Sequence, residues 1–170
     1  MSLSSALDPL DLVDYEGFIE LPDRSAALMY GVGHYEDGPC VYDYDPWAHA
    51  EYLDLPVVFR DDLPDPSMVA CYSAEHEAIF VRTNLHADVE RCAIAHEIVH
   101  FEYNDVGSDD LQEERADRIA ARRLIRPRRL EELSVVTDDP AVVALELHVT
   151  EKIMRVFMRM VRQGRISRYA

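Results

Sequence analysis

The chain has 170 residues, 48% of them hydrophobic, which suits one compact domain with a small appendage and excludes global disorder. No apolar run approaches the roughly 18 residues of a membrane span, so no membrane partner is expected. The formal net charge of −16 divides unevenly: residues 1–117 hold 5 basic and 27 acidic residues, whereas residues 118–170 hold 12 basic and 6 acidic. The acidic part repels nucleic acid at long range, so direct nucleic-acid binding is not expected, and the arginines of the tail read as solvated helix faces.

Residues 1–14 carry acids and no Lys or Arg, so no secretory signal is read. The three cysteines, Cys40, Cys71 and Cys92, are odd in number and match no Cys-pair metal spacing. Free thiols in a reducing cytoplasm are the expectation. Residues 1–45, rich in Asp, Tyr and Gly, read as an extension packed on the core. Asp45-Pro46 is an N-cap followed by proline at the first helical position and opens a short helix to about Leu53. A strand is predicted over residues 57–60, then a turn-rich loop over 61–66. The β-prone runs 68–73 and 78–82, joined by a polar turn, predict a hairpin.

From Ala87 the pattern becomes helical, with Val89, Ala93, Ile94, Ile98 and Phe101 at helix spacing. A second helix starts near Ser108, Asp109 or Asp110, and Asp109 with Gln112 approximates a capping box. That helix stops before Pro127. Asp139-Pro140 opens another helix. Thr150 caps the last, whose residues Ile153, Met154, Phe157, Met160 and Val161 form a broad apolar face, with Gly164 past its end. The fold class is therefore α+β: a small β-sheet packed on one central helix in a mainly helical domain, with a C-terminal helical pair. The chain divides into the extension at 1–45, a core at 46–127 and a helical subdomain at 128–170.

The chemistry is concentrated in His96-Glu97-Ile98-Val99-His100. Four-residue spacing puts His96 and His100 on one helix face, one turn apart, where two neutral imidazoles can share one Zn2+. Glu97 is rotated off that axis and can take a proton from water on an open coordination position, as the catalytic base. A third metal ligand is best supplied by the next helix, from Glu113 or Glu114. Glu113 shares a face with Asp117, Ala120 and Leu124, small and apolar enough to pack on the motif helix, whereas Glu114 aligns with Arg118 and Arg122. Glu113 is the favoured ligand, and Asp117 then fits as an acceptor that orients one histidine. Cys92 lies one turn before His96, but about 12 Å along the axis from His100, and reads as core. His76 and His86 are weaker candidates for lining the site.

The segment Ala95-His96-Glu97-Ile98-Val99-His100, with the downstream run from Glu113 to Pro127, resembles the ImmA/IrrE metallopeptidases. Their second helix reads roughly Glu-x-x-Ala-(Asn/Asp)-x-Phe-Ala-x-x-Leu-Leu-x-Pro. Glu113, Ala116, Asp117, Ala120, Leu124 and Pro127 match it, while Ile119 and Ile125 replace Phe and Leu. The resemblance covers about residues 55–127. It implies a gluzincin-like, zincin-type domain, zinc held by His96, His100 and Glu113, and cleavage of a protein substrate. In this family the substrate is often a helix-turn-helix repressor of mobile elements, phage or stress genes. The short link between His100 and Glu113 departs from an elaborated loop. Residues 144–150 also resemble the turn of a helix-turn-helix, with His148 where Gly is common; two helices closing the core is the plainer reading. The alternative function is a zinc-containing regulator that acts by protein binding without proteolysis.

Overall fold

The computed structural model describes residues 44–107 and 109–166. All of the expected N-terminal extension but Tyr44 and Asp45, together with Cys40 and Ser108, lies outside the described residues. Within them run α1 (Pro46–Tyr52), β1 (Val57–Phe59), β2 (Ala70–Ser73), β3 (Ala78–Val81), α2 (Ala87–Glu102), α3 (Asp110–Leu124), α4 (Pro127–Ser134), α5 (Pro140–Glu146) and α6 (Glu151–Arg162). None of these helices is long and apolar enough to cross a membrane.

Side-chain caps mark most helix starts, each satisfying backbone N–H groups that a first turn leaves free. The Asp45 carboxylate accepts from Trp47 and Ala48 N–H ahead of α1. Asp109 accepts from Leu111 and Gln112 N–H, and the Gln112 side chain returns to the Asp109 N–H, a complete capping box for α3. Asp139 opens α5 and Thr150 opens α6 in the same manner. α3 ends at Leu124, but Pro127 then opens α4, a helix not expected from the sequence. A proline that blocks continuation of one helix is also pre-organised for the first position of the next.

The sheet has the order β1-β3-β2. β2 and β3 form the expected antiparallel hairpin, with Tyr72 opposite Ile79, and β1 joins β3 in parallel, with Val57 opposite Ile79. β3 is therefore central, and its Ala78, Ile79 and Val81 are buried.

α2 lies between two apolar clusters. Ile94 and Ile98 pack with Ile79, Val81, Ala50 and Leu55 under the sheet. Cys92 and Ala95 join Ala120, Ala121, Leu124, Val143, Ile153 and Phe157 among the helices. A helix buried on two sides cannot shift without opening a cavity, and truncating a fully buried isoleucine such as Ile98 costs about 2–5 kcal/mol. The broad face of α6 belongs to the second cluster through Ile153, Met154, Val156, Phe157 and Met160, and His148 takes a positive φ of 53° in the turn before it.

Candidate metal centre

One face of α2 remains open to a cleft of about 770 Å³ that β2 and the start of α6 flank. Val89 and Ala93, predicted as part of the apolar stripe, lie on this cleft face together with His96 and His100. They floor the site, while Ile94 and Ile98 turn to the sheet. Their positions at 89, 93, 96 and 100 are those of a single helix face.

The capping box sets the first turn of α3 beside that face and brings Glu113 to it. Glu113 Oε2 lies 3.2 Å from His96 Nε2, and its Oε1 lies 3.5 Å from His100 Nε2. The two Nε2 atoms are 3.0 Å apart. Among the described residues these three side chains form the one group of His, Cys, Asp or Glu able to hold a metal ion, with their ligand atoms all within 4.8 Å of one another.

Each imidazole is backed on its far side by a carboxylate. His100 Nδ1 is hydrogen-bonded to Asp105 Oδ2 at 2.9 Å. The chain reaches Asp105 by a turn in which Asn104 takes a φ of 53° and the Asp105 N–H donates to the His100 carbonyl. Arg115 Nη2 donates to both Asp105 oxygens, at 2.5 and 2.7 Å, and its guanidinium stacks over the Tyr103 ring at 4.3 Å. His96 Nδ1 lies 2.9 Å from Asp117 Oδ1, and Lys152 Nζ lies 2.7 Å from the same oxygen.

This donor set fits a divalent cation. With each Nδ1 turned toward a carboxylate, both Nε2 atoms are placed to converge as donors on one cation. Their 3.0 Å separation suits two ligands on one ion with metal–nitrogen bonds of about 2.0–2.1 Å. The local field agrees. Burial alone pushes the His96 imidazole down, but Asp117, Glu113 and the Glu97 charge outweigh it and lift it to about 9. Contact with His96 holds the Glu113 carboxyl below its usual range, against the opposing effect of burial. Carboxylates that hold a proton this firmly also favour a metal ion in its place.

Glu97 sits beside the donors and is buried. The Tyr72 N–H of β2 donates to its Oε2 at 2.7 Å, fixing the carboxylate across the cleft. Burial pushes its pKa up, although His96, His100 and the Tyr72 N–H pull the other way. A carboxylate so raised is better matched to accepting a proton near neutral pH. The Tyr72 bond also shows the direction of the strand. The Arg82 N–H donates to the Val69 carbonyl, so residues 69, 71 and 73 address β3, and by alternation the backbone groups of Ala70 and Tyr72 face outward.

The other sequence candidates are not among the three donors. Glu114 is exposed and pairs with Arg118 at 3.8 Å. Cys92 is buried in the helical cluster and accepts from the Thr150 N–H at 3.4 Å. His76 caps the hairpin turn through Ser73, and His86 is the N-cap of α2; neither lines the cleft. Asp105, Arg115 and Lys152 were not singled out in the sequence. Asp105 had one readable signal, Asn104, a residue that tolerates the left-handed turn needed to fold the chain back.

A helix carrying two convergent imidazoles and a buried carboxylate, a third donor from the next helix, and a sheet edge across the cleft are the parts of a His-Glu-x-x-His metallopeptidase. The chain matches the family model Peptidase_M78, the IrrE N-terminal-like domain, over residues 50–158 and belongs to that family. It is thus a metallopeptidase, and its small sheet and helices form a mixed α+β, zincin-like fold. The match extends past Pro127 into α6. No curated protein sequence matches the chain.

Proposed function

We propose that the protein is a zinc-dependent endopeptidase acting on a protein substrate, with His96, His100 and Glu113 as metal ligands and Glu97 as the catalytic base. The observation that carries this reading is the Tyr72 N–H bond to Glu97 Oε2, which holds a buried carboxylate beside a cluster of three metal donors. Zinc bound there supplies Lewis acidity toward the scissile carbonyl and lowers the pKa of its water. Glu97 would take a proton from water at the site and pass it to the leaving amine. Asp117 orients His96 and Asp105 orients His100 through their Nδ1 atoms, so that both Nε2 atoms point at one place.

The outward-facing backbone groups of Ala70 and the Tyr72 carbonyl suit an extended substrate segment added to β2 as a further strand, the Tyr72 N–H being held by Glu97. The segment then crosses Glu97 in a fixed register. We further propose that the substrate is a helix-turn-helix repressor, of phage, mobile-element or stress genes, and that cleavage takes place in the cytoplasm. The net charge of −22 on residues 1–117 favours encounter with a basic, DNA-binding protein, and the reduced thiols Cys71 and Cys92 suit that compartment.

The test is metal restoration. Protein stripped with a chelator is incubated with a repressor-containing cell extract, with and without added Zn2+, and new N-termini are labelled and sequenced. New N-termini that return with zinc and map to DNA-binding proteins support the reading. Cleavage unaffected by stripping overturns the metal mechanism, and zinc-dependent cleavage confined to other proteins overturns the repressor assignment.

A further inference from the structure

Of the 17 Lys and Arg residues, one is lysine, Lys152, and it lines the active-site cleft. Among the described residues it is the single ammonium or guanidinium group on that lining. We infer that Lys152 is a positioning residue of the metal centre: its ammonium holds the Asp117 carboxylate against His96 Nδ1, tying the start of α6 to the metal ligand. This rests on the assignment of His96, His100 and Glu113 as ligands.

The geometry at one oxygen carries the inference. Asp117 Oδ1 lies 2.9 Å from His96 Nδ1 and 2.7 Å from Lys152 Nζ. The oxygen is buried and shared between the two nitrogens, so the ammonium offsets the cost of burying its charge. A buried carboxylate held in that way depends on its counter-ion for position. A compact ammonium can approach a single oxygen already shared with an imidazole, whereas a planar guanidinium is built to span two oxygens. Behind His100 the corresponding carboxylate, Asp105, is held by Arg115 through one Nη2 atom.

The backbone of α6 explains why the ammonium is available. Thr150 caps the helix, with its side chain accepting from the Ile153 N–H. Ile153, next to Lys152, is buried in the helical cluster. The Lys152 side chain is 61% exposed, so its stem runs along the cleft wall while its root is fixed by the core. The C-terminal helical pair thereby contributes to the metal centre, although the ligands all lie on α2 and α3.

The sign of the effect separates positioning from bare charge. Removing a cation close to a metal site tightens metal binding if the cation acts only through its field. It weakens binding if the cation holds a carboxylate that orients a ligand, because lost partners of this kind typically cost 10–100-fold in affinity. The experiment measures Zn2+ affinity by competition with a chromophoric chelator, using the full chain as wild type, Lys152→Met, Lys152→Arg, Asp117→Asn and the Lys152→Met/Asp117→Asn double variant. Circular dichroism verifies folding, with Lys152→Gln as the second neutral variant should Lys152→Met not fold.

The expected result is about tenfold weaker zinc binding in Lys152→Met, only partial recovery in Lys152→Arg, and little further loss when Lys152→Met is added to Asp117→Asn. Unchanged or tighter binding in the neutral variants overturns the inference, as does an undiminished Lys152→Met effect in the Asp117→Asn background. Wild type that binds no zinc, or that binds it as well after Glu113→Ala, overturns the ligand assignment and this inference with it.

Discussion

Beneath α2 and α3 lies a buried polar cluster whose pH dependence can be worked out. Tyr44 Oη lies 2.8 Å from His49 Nδ1, His49 Nε2 lies 3.4 Å from Glu102 Oε1, and Arg123 Nη2 lies 2.8 Å from Glu102 Oε2. The residues join α1, α2 and α3. Burial, with the Arg123 charge adding to it, drives the His49 pKa from 6.5 down to about 4. A neutral imidazole bonded to Tyr44 Oη keeps Nε2 near Glu102 without a hydrogen bond, and a second cation beside Arg123 is disfavoured. Between pH 4 and 6.5 the unfolded chain therefore binds more protons at this residue than the folded one. Its contribution is fully present above pH 6.5 and is lost as pH falls toward 4. The full shift corresponds to about 3 kcal/mol, of which about 2 kcal/mol is lost by pH 5.

Glu102 acts in the opposite sense. Burial raises its pKa, against the pull of Arg123, so its proton uptake on acidification returns part of the loss. Urea denaturation of wild type and His49→Gln at pH 7.5 and 5.0 isolates the histidine, because the other titrating groups are common to both proteins. The stability difference between them is expected to change by about 2 kcal/mol between the two pH values, with wild type losing more on acidification. Parallel pH profiles for the two proteins would refute a buried neutral His49.

Glu113→Ala should abolish stoichiometric metal retention while Glu114→Gln leaves it unchanged, as read by metal analysis after desalting; equal losses in both would contradict the facing of α3. Asp105→Asn should weaken zinc binding by about 10–100-fold through His100, measured by chelator competition, and an affinity equal to wild type would remove Asp105 from the site. Asp109→Ala should cost about 1 kcal/mol in urea denaturation through loss of the capping box. A difference below about 0.3 kcal/mol would show that tertiary packing alone sets the start of α3.

Much of this was legible in the sequence because it depends on short spacings. The four-residue separation of His96 and His100, the capping pair Asp109 and Gln112, and the Asp-Pro starts of α1 and α5 are all local, and local geometry follows from local chemistry. The β2–β3 hairpin is local as well. What was not legible requires distant parts of the chain to meet. The parallel pairing of β1 with β3 skips the intervening strand, and strand-forming composition carries no information about such order. Lys152 approaches Asp117 from 35 residues downstream, across two helices, one of which, α4, was not expected. Val89 and Ala93 show another limit. Their spacing marks a helix face, but an apolar face that floors a cleft has the same period as one that enters a core.

The most direct test of the account compares metal content and cleavage in the same preparations of wild type and Glu97→Gln. One zinc per chain is expected in both proteins, because Glu97 is proposed as the base and not as a ligand, with new protein N-termini only in cells expressing wild type. Equal cleavage by the two proteins, or loss of the metal from Glu97→Gln, would contradict the separation of ligand and base on which the mechanism stands.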